Sequence, residues 1–235
     1  SASMGESSTI TISRASSSFT HTLTFAFGSA TGTIATKTSS TSVSWSVPLS
    51  LASQIPRAVS GSGTITCDTY SGNTKVGTKS CSVTLSVPAS VKPTISSLSV
   101  TRVDETVPSS WGVYVQSKSK AKLTINGASG SYGSTISSYS ISGGGFSSTS
   151  SSFTTGILSS SGTITFAAKV TDSRGRVSDE KKVSITVVAY TAPTFTSYLS
   201  QRATSSGAVN DDGTYIRGLI SYSFASCSNK NTVTR

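Results

Sequence analysis

The sequence predicts an all-β fold of repeated sandwiches. Three observations carry this: apolar residues alternating with period two, an excess of small hydroxyl side chains, and markers recurring about every 100 residues. Ser and Thr number 56 and 35, or 91 of 235 residues. With 34% hydrophobic and only 12% charged residues, the chain lacks the high charge and low apolar content of a disordered one. Threonine, valine, isoleucine and the aromatics suit a pleated, half-buried surface, and hydroxyl residues on outer faces keep that surface wet.

In chain order, Phe19, His21, Leu23, Phe25 and Phe27 share one face of a predicted strand, with Thr20, Thr22 and Thr24 on the other. Val43, Trp45 and Val47 alternate with Ser44 and Ser46 in the next clear run. Pro48 to Ile55 reads as a helical turn, since proline suits a first helical position. Ile65 and Cys67 are then in phase, as are Cys81, Val83, Leu85 and Val87, on two strands joined at Ser71-Gly72-Asn73-Thr74.

Ser-Gly-Thr-Ile-Thr occurs at 62–66 and again at 161–165, 99 residues further on. Each copy leads into a strand, a polar turn and a second strand, the second turn being Asp172-Ser173-Arg174-Gly175. Each hairpin is followed by a proline, Pro93 and Pro193, and Arg102 and Arg202 keep the same offset of 100. Gly112-x-Tyr114 is answered by Gly213-x-Tyr215. A period near 100 closed by a terminal hairpin predicts tandem immunoglobulin-like β-sandwich domains. The expected boundaries are 1–91, 92–190 and a partial third domain at 191–235. About half a unit long, this last segment would leave strand edges unpaired, so it is expected to be truncated or completed by another copy or a partner. The first residue, Ser1, with no signal pattern after it, reads as a piece of something longer.

Cys67, Cys81 and Cys227 are too few for a disulfide framework and lack zinc-ligand spacing. They are expected as small buried side chains with free thiols, although Cys67 and Cys81 share the apolar phase of adjacent strands and a bridge stays open. In the second repeat their positions correspond to Phe166 and Val183. No run of about 18 apolar residues is present to form a membrane-spanning helix. The net charge of +10 favours polyanionic partners, but the basic residues are scattered, and neither nucleic acid nor membrane insertion is expected.

Enzyme chemistry finds little support. His21 sits in the apolar phase of a strand and is expected to be packed there. Asp104 with Glu105, and Asp211 with Asp212, are expected as turn residues, the latter in Asn210-Asp211-Asp212-Gly213. Gly143-Gly144-Gly145 precedes no Lys-Ser/Thr, so it is no phosphate loop and is expected as flexible linkage. No catalytic residue, cofactor or metal site is assigned. One basic constellation remains for polyanion or glycan contact. Lys118, Lys120 and Lys122 alternate as though on one strand face, and Arg174 and Arg176 lie in the terminal turn, with Lys181 and Lys182 beyond.

The run Val170-Thr171-Asp172-Ser173-Arg174-Gly175-Arg176, then Tyr190-x-x-Pro193, Arg202 and Asn210-Asp211-Asp212-Gly213-Thr214-Tyr215, resembles tail-associated structural proteins of siphoviruses and prophages of Gram-positive bacteria. Ser16-Ser17-Ser18-Phe19-Thr20-His21-Thr22-Leu23 and Val43-Ser44-Trp45-Ser46-Val47-Pro48 resemble the N-terminal part of the same group. The resemblance implies a non-enzymatic minor tail, fibre or baseplate component, located in the virion. It implies partners among other tail proteins and copies of itself, and contact with host cell-wall glycan. It implies no catalytic residue. A bacterial surface adhesin of similar repeats is the alternative.

Overall fold

The computed structural model describes residues 1–103 and 106–233; Asp104 and Glu105 lie outside them. The first module contains β1 (Ala2–Ser3), β2 (Ser7–Thr11), β3 (Phe19–Phe27), β4 (Ala30–Thr38), β5 (Ser42–Ser46), β6 (Ser60–Ser71) and β7 (Thr74–Ser86). One sheet has the order β1-β7-β6-β3-β4, and β2 pairs with β5 in the other. Leu23, Phe27, Trp45, Val47, Ile65, Leu85 and Val87 are buried between them, with Phe25 and Trp45 rings 5.4 Å apart. Each such fully buried side chain contributes about 1.5–3 kcal/mol. The turn expected after Pro48 is a short 3₁₀ segment, Leu49–Gln54, whose Leu51 and Ala52 are buried.

The second module contains β8 (Ser97–Val103), β9 (Tyr114–Val115), β10 (Lys120–Asn126), β11 (Ile136–Gly143), β12 (Phe146–Ser148), β13 (Ser152–Thr154), β14 (Gly162–Asp172) and β15 (Lys181–Val188). Its sheets run β13-β10-β8 and β12-β11-β14-β15-β9. Removing β8 gives the strand order of the first module: a two-residue strand parallel to the last one, then a long central hairpin, β6–β7 or β14–β15. Two packed sheets in this order, antiparallel but for that short strand, are an immunoglobulin-like sandwich. Leu123, Ile141, Phe166, Ala168, Val170, Ile185 and Val187 fill the second core.

The repeated pentapeptide has a repeated contact. Its last threonine, Thr66 or Thr165, shares a hydroxyl hydrogen bond with Ser80 (3.0 Å) or Ser184 (2.9 Å) on the neighbouring strand's exposed face. Such cross-strand pairs stabilise a sheet by a few tenths of a kcal/mol to about 1 each, which explains hydroxyl residues on an outer face without charge.

Gly143-Gly144-Gly145 is a tight turn between β11 and β12, not flexible linkage. Gly144 has φ +58°, and a Cβ there would lie 2.8 Å from Ile164 Cγ2, so the chain crosses the core edge where no side chain fits. The third segment is one hairpin, β16 (Thr194–Ala203) with β17 (Tyr215–Ser223), paired only with each other among the described residues. Beyond it, Cys227 and Ala225 pack back on Val107, Val115, Trp111 and Tyr190 of the second module.

Candidate interaction surfaces

The predicted basic constellation separates into parts with different roles. Lys120 and Lys122 lie on the exposed face of β10, opposite Val103 and Thr101 of β8. Lys118 does not share that face. Ser117 has φ +59°, which turns the chain before β10 begins, and the Lys118 ammonium lies 5.2 Å from the centre of the Tyr190 ring. Lys182 pairs with Glu180 at 2.8 Å, and Lys169 reaches the same carboxylate at 3.4 Å.

Arg174 and Arg176 are not available to a polyanion. They clasp the two modules together. Arg174 is 7% exposed. From Nη2 it donates to Ala52 O and Tyr132 O, from Nη1 to Ser131 O (each 2.7 Å), and from Nε to Ile55 O at 3.2 Å. Ala52 lies in the 3₁₀ turn of the first module and Ile55 just after it, and their carbonyls, which already accept the Ile55 and Ala58 N–H groups at 3.2 Å, take the guanidinium as a second donor. Arg176 donates to Pro88 O at 2.7 Å and to Val87 O. Ser173 Oγ donates to Pro56 O at 2.6 Å. A planar fork of five donors suits several carbonyls at once, as a lysine ammonium does not.

The turn that presents this fork is organised by Asp172, which is buried. Its Oδ1 accepts the backbone N–H groups of Arg174 (3.0 Å) and Arg176 (2.9 Å), fixing the tip as an Asx turn does. Burial lowers the Arg174 pKa from its ordinary value; Asp172 opposes this and Arg176 adds to it. An arginine remains charged nonetheless. Lys92, on the connection between modules, pairs with Asp179 at 2.6 Å and holds that carboxyl below its ordinary pKa.

His21 is buried in the first core as expected. Its Nδ1 lies 3.2 Å from Thr69 Oγ1 and 3.7 Å from Cys67 Sγ, while Nε2 is buried without a partner. These residues line a cleft of about 220 Å³ with Ile10, Ile65 and Cys81. The cysteines are free thiols, but only Cys227 is buried; Cys67 is intermediate and Cys81 exposed. Cys81 faces Ile65 and Cys67 faces Lys79, so the cysteines sit diagonally, whereas Phe166 and Val183 face each other directly. The inner face of β7 is open at Cys81 because the facing sheet has two strands, not three. Burial raises the Cys67 pKa, Asp68 and Cys81 acting in the same direction and a Thr69 hydrogen bond against them. Among the described residues no three His, Cys, Asp or Glu side chains converge on a metal position.

Asp212 N–H donates to Asn210 Oδ1 at 2.9 Å, the expected turn chemistry at the tip of the third segment. No described helix is long and apolar enough to cross a membrane.

The model of a family described as "Siphovirus protein of unknown function (DUF859)" matches residues 1–210. No curated protein matches the chain. Among solved structures, fibronectin(III)-like modules of Clostridium thermocellum CbhA are 15% identical, covering 80% of this chain and 88% of that one, with TM-score 0.33. Titin domains A168-A170 are 17% identical over 79% of this chain and 60% of that one, with TM-score 0.31. Three N-terminal domains of the bacteriophage RB49 outer capsid protein Hoc are 12% identical over 94% of this chain and 65% of that one, with TM-score 0.27. At these values the likenesses add no function to the strand order described above.

Proposed function

This chain belongs to the siphovirus family matched over residues 1–210, and on that premise we propose that it is a non-enzymatic structural component of the phage tail. Its work is mechanical. Sandwich modules act as spacers, and the clasp of Arg174, Arg176 and Ser173 is the observation that supports this reading. A short connection alone leaves neighbouring modules free to move. Buried guanidinium–carbonyl bonds hold two modules at one angle, as a load-transmitting rod requires. Outer faces and strand edges dock other tail proteins and copies of the chain. Contact with anionic cell-wall polymer falls to Lys120 and Lys122, now without the arginines.

Mass spectrometry and imaging of purified virions test the reading: the polypeptide is expected in the tail, and its absence from virions would sink it. For attachment, binding to host cell walls should weaken with rising salt and on replacing Lys120 and Lys122 with serine. Binding indifferent to both removes the basic face from the proposal and leaves the rod.

A further inference from the structure

β8 has no counterpart in the first module, and the places it covers can be compared between the two. Each module pairs a short parallel strand with its last strand, and Ala2 opposite Leu85 answers Tyr114 opposite Val187. Val83 and Cys81 therefore answer Ile185 and Val183 on the inner face of that last strand. At both positions the first module is the more exposed. Ile185 is buried and Val83 half-buried, while Val183 is half-buried and Cys81 exposed. Likewise Leu123 of β10, opposite Val100 of β8, is wholly buried, whereas Ile10 of β2 is half-buried. What is left uncovered is the cleft between β2 and β7, whose lining includes His21, buried with its Nε2 unpartnered.

We propose that this cleft and the free edge of β2 form a strand-acceptor groove, filled by an extended segment that precedes Ser1 in the parent polypeptide and pairs antiparallel with β2. The second module selects this occupant. There β8 fills the equivalent place, paired with β10 from Ser97 opposite Asn126 to Val103 opposite Lys120 and packed on β15. Chain order sets β8 ten residues ahead of β9, and the same order sets the missing strand just ahead of β1. The third segment opens in the same way, with β16 paired antiparallel to β17. A second copy has no strand to lend, because among the described residues every strand is already paired within its own module or hairpin. β8 also shows the chemistry required. Apolar residues in the positions of Leu98 and Val100 turn inward, and hydroxyl residues in those of Ser97, Ser99 and Thr101 turn outward. The free edge of β2 offers a row of unpaired N–H and C=O groups, and a third strand gives a two-stranded sheet the stability it lacks. The inference rests on the comparison of modules and is independent of the tail reading.

Thiol alkylation and amide exchange test it on two chains. One is the 235-residue chain; the other is extended by the residues that precede Ser1 in the parent, enough for a seven-residue strand and a ten-residue connection. In the extended chain alkylation of Cys81 should slow about tenfold or more and that of Cys227 by less than about twofold, since reaction follows exposure. Amides of β2 should gain protection along with it. Aspartate at the two inward positions of the added strand should restore the original rate at Cys81 without altering Cys227. Equal reactivity of Cys81 in the two chains overturns the proposal, as does a parent polypeptide with no residues to supply the strand. Protection of Cys81 that grows with concentration in the unextended chain assigns the groove to a second copy and overturns it as well.

Discussion

The hairpins β6–β7 and β14–β15 are built alike and end in opposite surroundings. At the tip of the first, Gly72 has φ +58° with nothing within 4 Å of a Cβ, and Asn73 Oδ1 accepts from the Lys37 ammonium at 2.7 Å. At the tip of the second, Asp172 and Arg174 are buried and the arginine reaches carbonyls of the other module. The five-stranded sheets that carry them share one strand order, so the strands are not what decides the role of the turn. What decides it is whether the turn carries a carboxylate that shapes it and a guanidinium that satisfies foreign carbonyls.

The sharpest test of the shared frame compares Phe166 with Cys67, which follow the same pentapeptide in the two modules. Phe166→Ala should cost about 3–5 kcal/mol, because the ring is wholly buried and its removal leaves a cavity. Cys67→Ala should cost about 1 kcal/mol or less at its half-exposed position. Denaturant unfolding of the two variants measures both, and equal losses would break the comparison.

Next in size is the clasp. Arg174→Ala removes four hydrogen bonds from a buried guanidinium to carbonyls of both modules and should cost about 2–4 kcal/mol. Calorimetry should then resolve two transitions, against one expected for the native chain. Arg174→Lys should recover little, since one ammonium cannot serve carbonyls arrayed around a fork. Asn73→Ala at the first tip should leave the thermogram almost unchanged.

Smaller effects concern the thiols. Alkylation should proceed in the order Cys81, Cys67, Cys227, following exposure and the raised pKa values that burial gives the last two. Peptide mapping of a time course reads the order, and an early reaction at Cys227 would place the C-terminal segment elsewhere.

The smallest effect is at Lys92–Asp179. Asp179 has a pKa lowered from 3.8, so its contribution is fully present above that value and is lost as pH falls through the lower folded value. Asp179→Asn and the native chain should differ slightly near neutrality and converge in strong acid, read as melting temperature against pH.

Much of this was legible in the sequence. Alternation placed β3, β5 and the two long hairpins, because a side-chain period of two is a local consequence of extended backbone. Turn chemistry placed Gly72 and Asp172 at hairpin ends for the same local reason. The roles of Arg174 and Arg176 were not legible. Two arginines in a polar turn look alike whether they meet solvent or carbonyls, and here the acceptors Ala52 and Ile55 lie 122 and 119 residues away. Lys118 was misplaced because a single left-handed residue, Ser117, ends the alternation that its neighbours continue. Cys81 was assigned to the interior because phase tells which face a residue occupies, but not whether another layer covers it.

By itself, then, the sequence determined the strands of the long hairpins, the turns at their tips, the repeat and the all-β class, since each is set by contacts between near neighbours or by self-similarity along the chain. Tertiary structure alone decided which turns are buried, which faces stay open and where the charges go. Those depend on surfaces brought together from distant positions, where one added strand or one neighbouring module turns an exposed arginine into a clasp.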